Sequence, residues 1–99
     1  MQVQLFRING EKVNINVTSF VEARGIVCNM HENAIAELVS LNDGSYFLVD
    51  EEGKLKNYPI NKIATNMAHL SEAIYPHDCI VGDVILINDM NEFEELPYE

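Results

Sequence analysis

Residues 3–17 contain the feature that most constrains the fold, an alternation of apolar and polar side chains on both sides of a tight turn. Val13, Ile15 and Val17 alternate strictly with polar residues, and a shorter alternation precedes Asn9 and Gly10. A period of two is typical of a half-buried β-strand, and Asn-Gly is a preferred dipeptide of two-residue hairpin turns. This segment therefore predicts a β-hairpin.

A helix is predicted over residues 19–30. Ser19 and Glu22 have the spacing of a capping box, in which a hydroxyl accepts a hydrogen bond from a free backbone N–H, and Thr18 is the alternative cap. The expected buried face of this helix consists of Phe20, Val21, Ile26 and Val27.

A second hairpin and a second helix follow. Apolar residues in 35–41 and 46–49 flank the turn cluster 42–45, and residues 50–53 form a further turn. Apolar side chains at positions 63, 67, 70 and 74 recur at intervals of three and four, which predicts a helix over residues 60–74 with Ile63 and Leu70 facing the core. The apolar run 84–87 is expected to be a short central strand.

These elements follow one another in the order ββαββαβ. The order predicts an α+β fold in which two helices pack against a mostly antiparallel sheet. A chain of 99 residues suits one hydrophobic core. We therefore expect a single domain over residues 1–88, followed by an acidic C-terminal tail over residues 89–99.

The charge of the chain is strongly negative and unevenly distributed. The formal net charge is −10, and residues 78–99 contain acids without any Lys or Arg. Phosphates repel such a chain, so direct binding to nucleic acid or to an anionic membrane is not expected. Clustered carboxylates repel one another and are neutralised most easily by a basic surface, which predicts a basic protein as the partner.

The sequence lacks a signal pattern, and its apolar runs are too short to span a bilayer. It predicts a soluble protein of the cytoplasm of a host cell. Cys28 and Cys79 form no disulfide framework, so both are expected to be unpaired thiols buried in the core.

Residues 50–88 resemble a small protein family from phages, plasmids and other mobile elements that is known only as a domain of unknown function. The resemblance rests on the run from Glu52 to Lys56, on Pro59, Asn61 and Ala64, and on residues 78–84 before the apolar strand. It implies a mobile-element origin and no established activity or catalytic residue.

Two kinds of chemistry have candidate residues. Asn61 either caps the second helix or presents its amide to a nucleotide-like ligand beside Lys54, Lys56 and Pro59. His69, His77, Asp78 and Cys79 supply metal-ligand atoms, and Cys79 with His31 or His69 forms a nucleophile and base pair, but neither set has the spacing of a known site. The sequence therefore predicts no enzyme, no cofactor and no metal.

The favoured hypothesis is a non-enzymatic phage or mobile-element protein that binds a basic host protein, such as a nucleic-acid-binding defence protein, and inhibits it. Carboxylates steer such a partner and aromatic rings bury area against it. The candidate residues are Asp50, Glu51, Glu52, Asp89, Glu92, Phe93, Glu94, Glu95 and Tyr98. The alternatives are a small-ligand module with Lys54, Lys56, Pro59 and Asn61 in the site, and a homodimeric adaptor that pairs through a sheet edge.

Overall fold

The computed structural model describes residues 2–30 and 34–89, and this part of the chain forms one sheet of five strands and two helices. The elements are β1 (Gln2–Phe6), β2 (Lys12–Asn16), α1 (Phe20–Met30), β3 (Ala36–Ser40), β4 (Tyr46–Asp50), α2 (Lys62–Leu70) and β5 (Val84–Ile87). The predicted α+β class and the order ββαββαβ are confirmed.

The sheet is antiparallel between all neighbours and has the strand order β2-β1-β5-β4-β3. Both predicted hairpins are present, and Gly10 takes a φ of +91° in the first turn, a conformation that glycine adopts without steric cost. The last strand, β5, lies between the two hairpins, where Ile85 is paired with Leu5 on one side and with Leu48 on the other. The prediction of a central strand at 84–87 is confirmed.

Each helix covers a different face of the sheet, so the hydrophobic core of the domain consists of two layers, one on each face. Ile85 and Ile87 of β5 belong to the core under α1, whereas Val84 and Leu86 belong to the core under α2. Because successive residues of a strand point to opposite faces, a strand covered on both faces must be apolar throughout. This explains the uninterrupted apolar run of β5.

Helix α1 begins where the capping box predicts. The backbone N–H of Glu22 donates to Ser19 Oγ over 3.1 Å, and the Thr18 hydroxyl donates to the Glu22 carboxylate over 3.0 Å. The predicted face is wrong at Val21, whose surface is 54% exposed. The buried stripe is formed by residues 20, 23 and 27 at helical spacing, and one residue further along a helix turns away by about 100°.

Helix α2 is shorter than predicted, and its predicted face is confirmed at Ile63, which packs against the core, but not at Leu70. It buries Ala64 and Ala68, whereas Leu70 at its last position is 75% exposed. The helix ends because Glu72 has a left-handed φ of +55° and the N–H of Ala73 donates to the Ala68 carbonyl over 2.9 Å. The prediction that Leu70 faces the core is therefore wrong.

In the described ranges 2–30 and 34–89, neither helix is long and apolar enough to cross a membrane.

Candidate functional site

Asp50 lies inside the protein, although it was predicted as part of an acidic surface. Its side chain is 0% exposed and accepts a hydrogen bond from Lys56 Nζ over 2.8 Å. The backbone N–H groups of Glu52 and Ile35 donate to its Oδ1 over 3.0 and 3.3 Å. This carboxylate therefore holds the turn that follows β4 and is not exposed to a partner.

The same contacts set the ionisation of this buried pair. Burial raises the pKa of Asp50, but the hydrogen bonds from Lys56, Glu52 and Ile35 outweigh it, so the pKa lies below its usual value. The hydrogen bond to Asp50 also raises the pKa of Lys56. Asp50 is thus a carboxylate and Lys56 an ammonium group at neutral pH.

The second predicted lysine is also engaged by a carboxylate. Lys54 Nζ donates to Asp78 Oδ1, and the N–H of Cys79 donates to the same oxygen over 2.8 Å. These hydrogen bonds, led by that from Lys54, lower the pKa of Asp78. Both lysines of the small-ligand alternative are consequently neutralised by ion pairs.

The side-chain amide of Asn61 is hydrogen-bonded within the protein at both its nitrogen and its oxygen. It is 1% exposed, its Nδ2 donates to the carbonyls of Phe6 and Gly82 over 2.9 and 3.0 Å, and its Oδ1 accepts from the N–H of Ala64 over 3.1 Å. The capping role is confirmed, and the amide does not face solvent. Pro59 is exposed, but its carbonyl accepts a hydrogen bond from the Gly82 N–H. The four residues of the small-ligand alternative thus do not converge on one open cavity.

Carboxylates instead surround a depression beside the edge of the sheet at β3. The depression has a volume of about 140 Å³. Its lining residues are Glu37, Val39, Val49, Asp50, Glu51, Lys54, Ile74, Asp78, Cys79, Ile80 and Val81. Glu37 and Glu51 are exposed, and neither makes an ion pair with another described residue. The backbone brings them together because the Glu51 N–H donates to the carbonyl of Ile35, the residue just before β3.

A larger and more open depression adjoins the first one. It has a volume of about 780 Å³ and shares Ile74 and Asp78 with its neighbour. The other lining residues are His69, Glu72, Ala73, Tyr75 and Pro76. The Tyr75 ring is stacked on the His77 ring with a centroid separation of 5.8 Å and an interplanar angle of 5°. We call the two depressions together the acidic groove.

Two histidines among the candidate metal-ligand residues make other contacts. His69 Nε2 forms a 2.8 Å hydrogen bond with the carbonyl of Asp78, and His77 is stacked on Tyr75. Within residues 2–30 and 34–89, no three His, Cys, Asp or Glu side chains are grouped as metal ligands. His31, the second candidate base for Cys79, lies outside the described residues.

The two cysteines are unpaired, as predicted, but their burial differs from the prediction. Cys28 is exposed and Cys79 is partly buried. The sulfur of Cys28 lies 3.7 Å from the carbonyl oxygen of Ala34. The expectation that both thiols lie in the core is wrong for Cys28, because α1 buries the stripe that contains Val27 and not its neighbour.

The remaining acidic candidates lie at two places. Glu51 is exposed in the groove, Glu52 is half-buried in the turn after β4, and Asp89 is exposed after β5. Glu92, Phe93, Glu94, Glu95 and Tyr98 of the tail lie outside the described residues.

Sequence reasoning missed Glu37, Glu72 and Tyr75 as groove residues. They come from β3 and from the segment after α2, and no fixed spacing links such distant positions.

Comparison of the chain with protein families, with curated proteins and with solved structures finds no match.

Proposed function

We propose that this chain is a non-enzymatic binding protein that recognises a basic partner protein through the acidic groove. One observation carries the proposal. Glu37 and Glu51 lie exposed in a depression where the nearby lysines, Lys54 and Lys56, are already paired with Asp78 and Asp50. The groove therefore presents negative charge that the described part of the protein does not neutralise.

Charge of this kind favours cationic partners over anionic ones. Exposed carboxylates attract Lys and Arg side chains, accelerate association, and repel phosphate groups. The same geometry speaks against the nucleotide alternative, since both lysines and the Asn61 amide already have protein partners. Dimerisation through a sheet edge would use β2 or β3, the outer strands of the described sheet.

The resemblance to a mobile-element family adds a biological setting to this proposal. A nucleic-acid-binding protein of a host defence system has the basic surface that an acidic groove requires. Inhibition of such a protein by occupation of its basic surface is the role that we propose for the chain.

Immobilised protein and a bacterial lysate test the proposal. Glu37→Gln with Glu51→Gln removes two groove charges, and Glu11→Gln with Glu22→Gln removes two charges that line neither depression. We expect the wild type and the Glu11/Glu22 variant to retain the same basic proteins at ~100 mM salt and to release them at higher salt. The Glu37/Glu51 variant should lose them.

Two results would reject the proposal. One is retention of the same proteins by both double variants, which would mean that net charge alone attracts them. The other is retention of proteins without a basic surface, or of none, by the wild type. Thermal unfolding of each variant checks that the losses do not reflect unfolding.

The tail provides a separate prediction about kinetics. Changing Glu92, Glu94 and Glu95 together to Gln is expected to slow association with the captured partner, and Phe93→Ala is expected to speed its release. Surface plasmon resonance at several salt concentrations measures both rates. If both rates stay unchanged in these variants, the tail contributes only to solubility, and the groove remains the binding surface.

A further inference from the structure

We propose that the acidic groove receives an arginine side chain of the partner. This inference rests on the proposed function and names the chemical group that the groove recognises. It is carried by an exposed aromatic ring, by the carboxylates around that ring, and by the backbone conformation of one of those acids.

The aromatic ring belongs to Tyr75. The residue is 73% exposed although His77 is stacked against one face of its ring. Tyr75 lines the larger depression and His77 does not, so we assign the uncovered ring face to the groove. A guanidinium group is planar and weakly hydrated, and it stacks on such a face by cation–π attraction.

Carboxylates lie beside this ring. Glu72 and Asp78 line the same depression as Tyr75. The contacts of Asp78 with Lys54 and Cys79 both go to Oδ1, which leaves Oδ2 without a hydrogen bond among the described residues. Glu72 makes no ion pair within the described ranges. Two acceptors are therefore available to the forked N–H groups of an arginine.

The backbone of Glu72 is unfavourable for the fold. Its φ of +55° is a conformation in which glycine or asparagine is preferred at the end of a helix. Its negative charge also lies just beyond the C-terminus of α2, where the helix dipole favours positive charge. The left-handed conformation ends α2, but glycine or asparagine would adopt it more readily and without the unfavourable charge. A carboxylate at this position instead suits a cationic ligand of the groove.

Apolar residues complete the fit. Ala73, Ile74 and Pro76 line the depression next to Tyr75. The three-carbon stem of an arginine buries against such surfaces while its charged end meets the carboxylates. Lysine matches the charge but lacks the planar group that stacks on the ring and the fork that binds two oxygens.

Blocked Gly/Ser peptides that carry two arginines, two lysines or two citrullines test this inference. Citrulline keeps the shape of arginine without its charge. In a titration of the ¹⁵N-labelled protein, we expect the arginine peptide to shift the amide resonances of Glu72, Tyr75 and Asp78 in a saturable way. The lysine peptide should bind more weakly, and the citrulline peptide should produce no saturable shift.

Two variants separate the ring from the charge. Tyr75→Leu should lower the affinity for the arginine peptide about fivefold, the factor expected from a cation–π contact at an exposed site. The affinity for the lysine peptide should fall by a smaller factor. Glu72→Asn removes the negative charge and introduces a side chain that tolerates a positive φ. It should lower the affinity for both the arginine and the lysine peptide. Glu22→Gln is the control and should change neither affinity.

Equal affinity for arginine and citrulline, shifts confined to other residues, or an unchanged affinity of Tyr75→Leu would each overturn the inference. If the arginine peptide fails in these ways while capture of basic proteins still requires Glu37 and Glu51, the proposed function stands and the arginine pocket is wrong. Loss of that capture requirement would instead reject the function itself.

Discussion

Replacement of Asn61 by Ala is expected to destabilise the domain more than the loss of a helix cap alone would do. Asn61 Oδ1 caps α2, and Nδ2 supplies hydrogen bonds to the carbonyls of Phe6 and Gly82 in a site that is 1% exposed. One side chain thus joins a helix, a strand and the loop before β5. Its removal deprives the Phe6 carbonyl, the Gly82 carbonyl and the Ala64 N–H of these hydrogen bonds.

The expected loss follows from these contacts. A missing N-cap costs about 1 kcal/mol. Each buried carbonyl left without a donor costs about 1 kcal/mol or more, so Asn61→Ala should lower the free energy of unfolding by roughly 3 kcal/mol. For a domain of this size the loss corresponds to a fall in the thermal midpoint of about 12–24 °C. Urea denaturation and calorimetry measure it.

Asn61→Asp separates the two contributions. The carboxylate still accepts from the Ala64 N–H, and Asp is a good N-cap, but both donors to Phe6 and Gly82 are replaced by an acceptor. We expect Asp to be at least as destabilising as Ala. A nearly unchanged stability of Asn61→Asp would show that capping alone matters and would refute the reasoning.

Three further predictions concern stability. The pKa of Asp50 is lower in the folded chain than its unfolded value of about 3.9, so its contribution to the free energy of unfolding is present above that pH and is lost as the pH falls through the folded pKa. Asp50→Asn should flatten this part of the plot of unfolding free energy against pH, measured by urea titration. Parallel curves for the wild type and the variant would contradict this expectation. Leu70→Ala should change the free energy of unfolding by less than about 0.5 kcal/mol, because Leu70 is exposed. Leu48 is 1% exposed, so Leu48→Ala should lower the free energy of unfolding by about 2–5 kcal/mol. Equal losses in the two variants would be inconsistent with the observed burial of these residues. Glu72→Gly should raise stability by about 0.5–1 kcal/mol because glycine accepts the left-handed conformation, and a lower thermal midpoint would argue against strain at this position.

The hairpins were predictable because their signals are local. Asn9 and Gly10 fix the first turn, and alternation over neighbouring residues fixes which side chains face the core. The buried face of α2 was only partly predictable, since Ile63, Met67 and Ile74 pack against the core but Leu70 does not. Ala64 and Ala68 form the fully buried centre of this face, and alanine gives so weak a hydrophobic signal that the larger Leu70 was assigned to the face instead.

The candidate site was less predictable than the fold. The acidic run from residue 50 to 52 looked like one exposed surface, but the backbone turns Asp50 inward toward Lys56 and leaves Glu51 outside. Glu37 joins Glu51 only because the strands that precede and follow the second turn are paired. Such proximity depends on the register of this hairpin and on the turn after β4, which the sequence patterns did not specify.

The position of β5 between the two hairpins determines how the chain can fold. Each hairpin forms from neighbouring residues on a timescale of about 1–10 μs. Within the sheet that residues 2–30 and 34–89 form, however, the hairpins are joined only through β5, whose Ile85 pairs with Leu5 and Leu48. These pairings close long loops, so they carry the entropic cost that slows the folding of proteins with high contact order. Until Val84–Ile87 inserts, both hairpins leave backbone groups of a strand edge unpaired and open to other chains. The insertion of these four residues thus turns two aggregation-prone strand edges into the interior of one sheet.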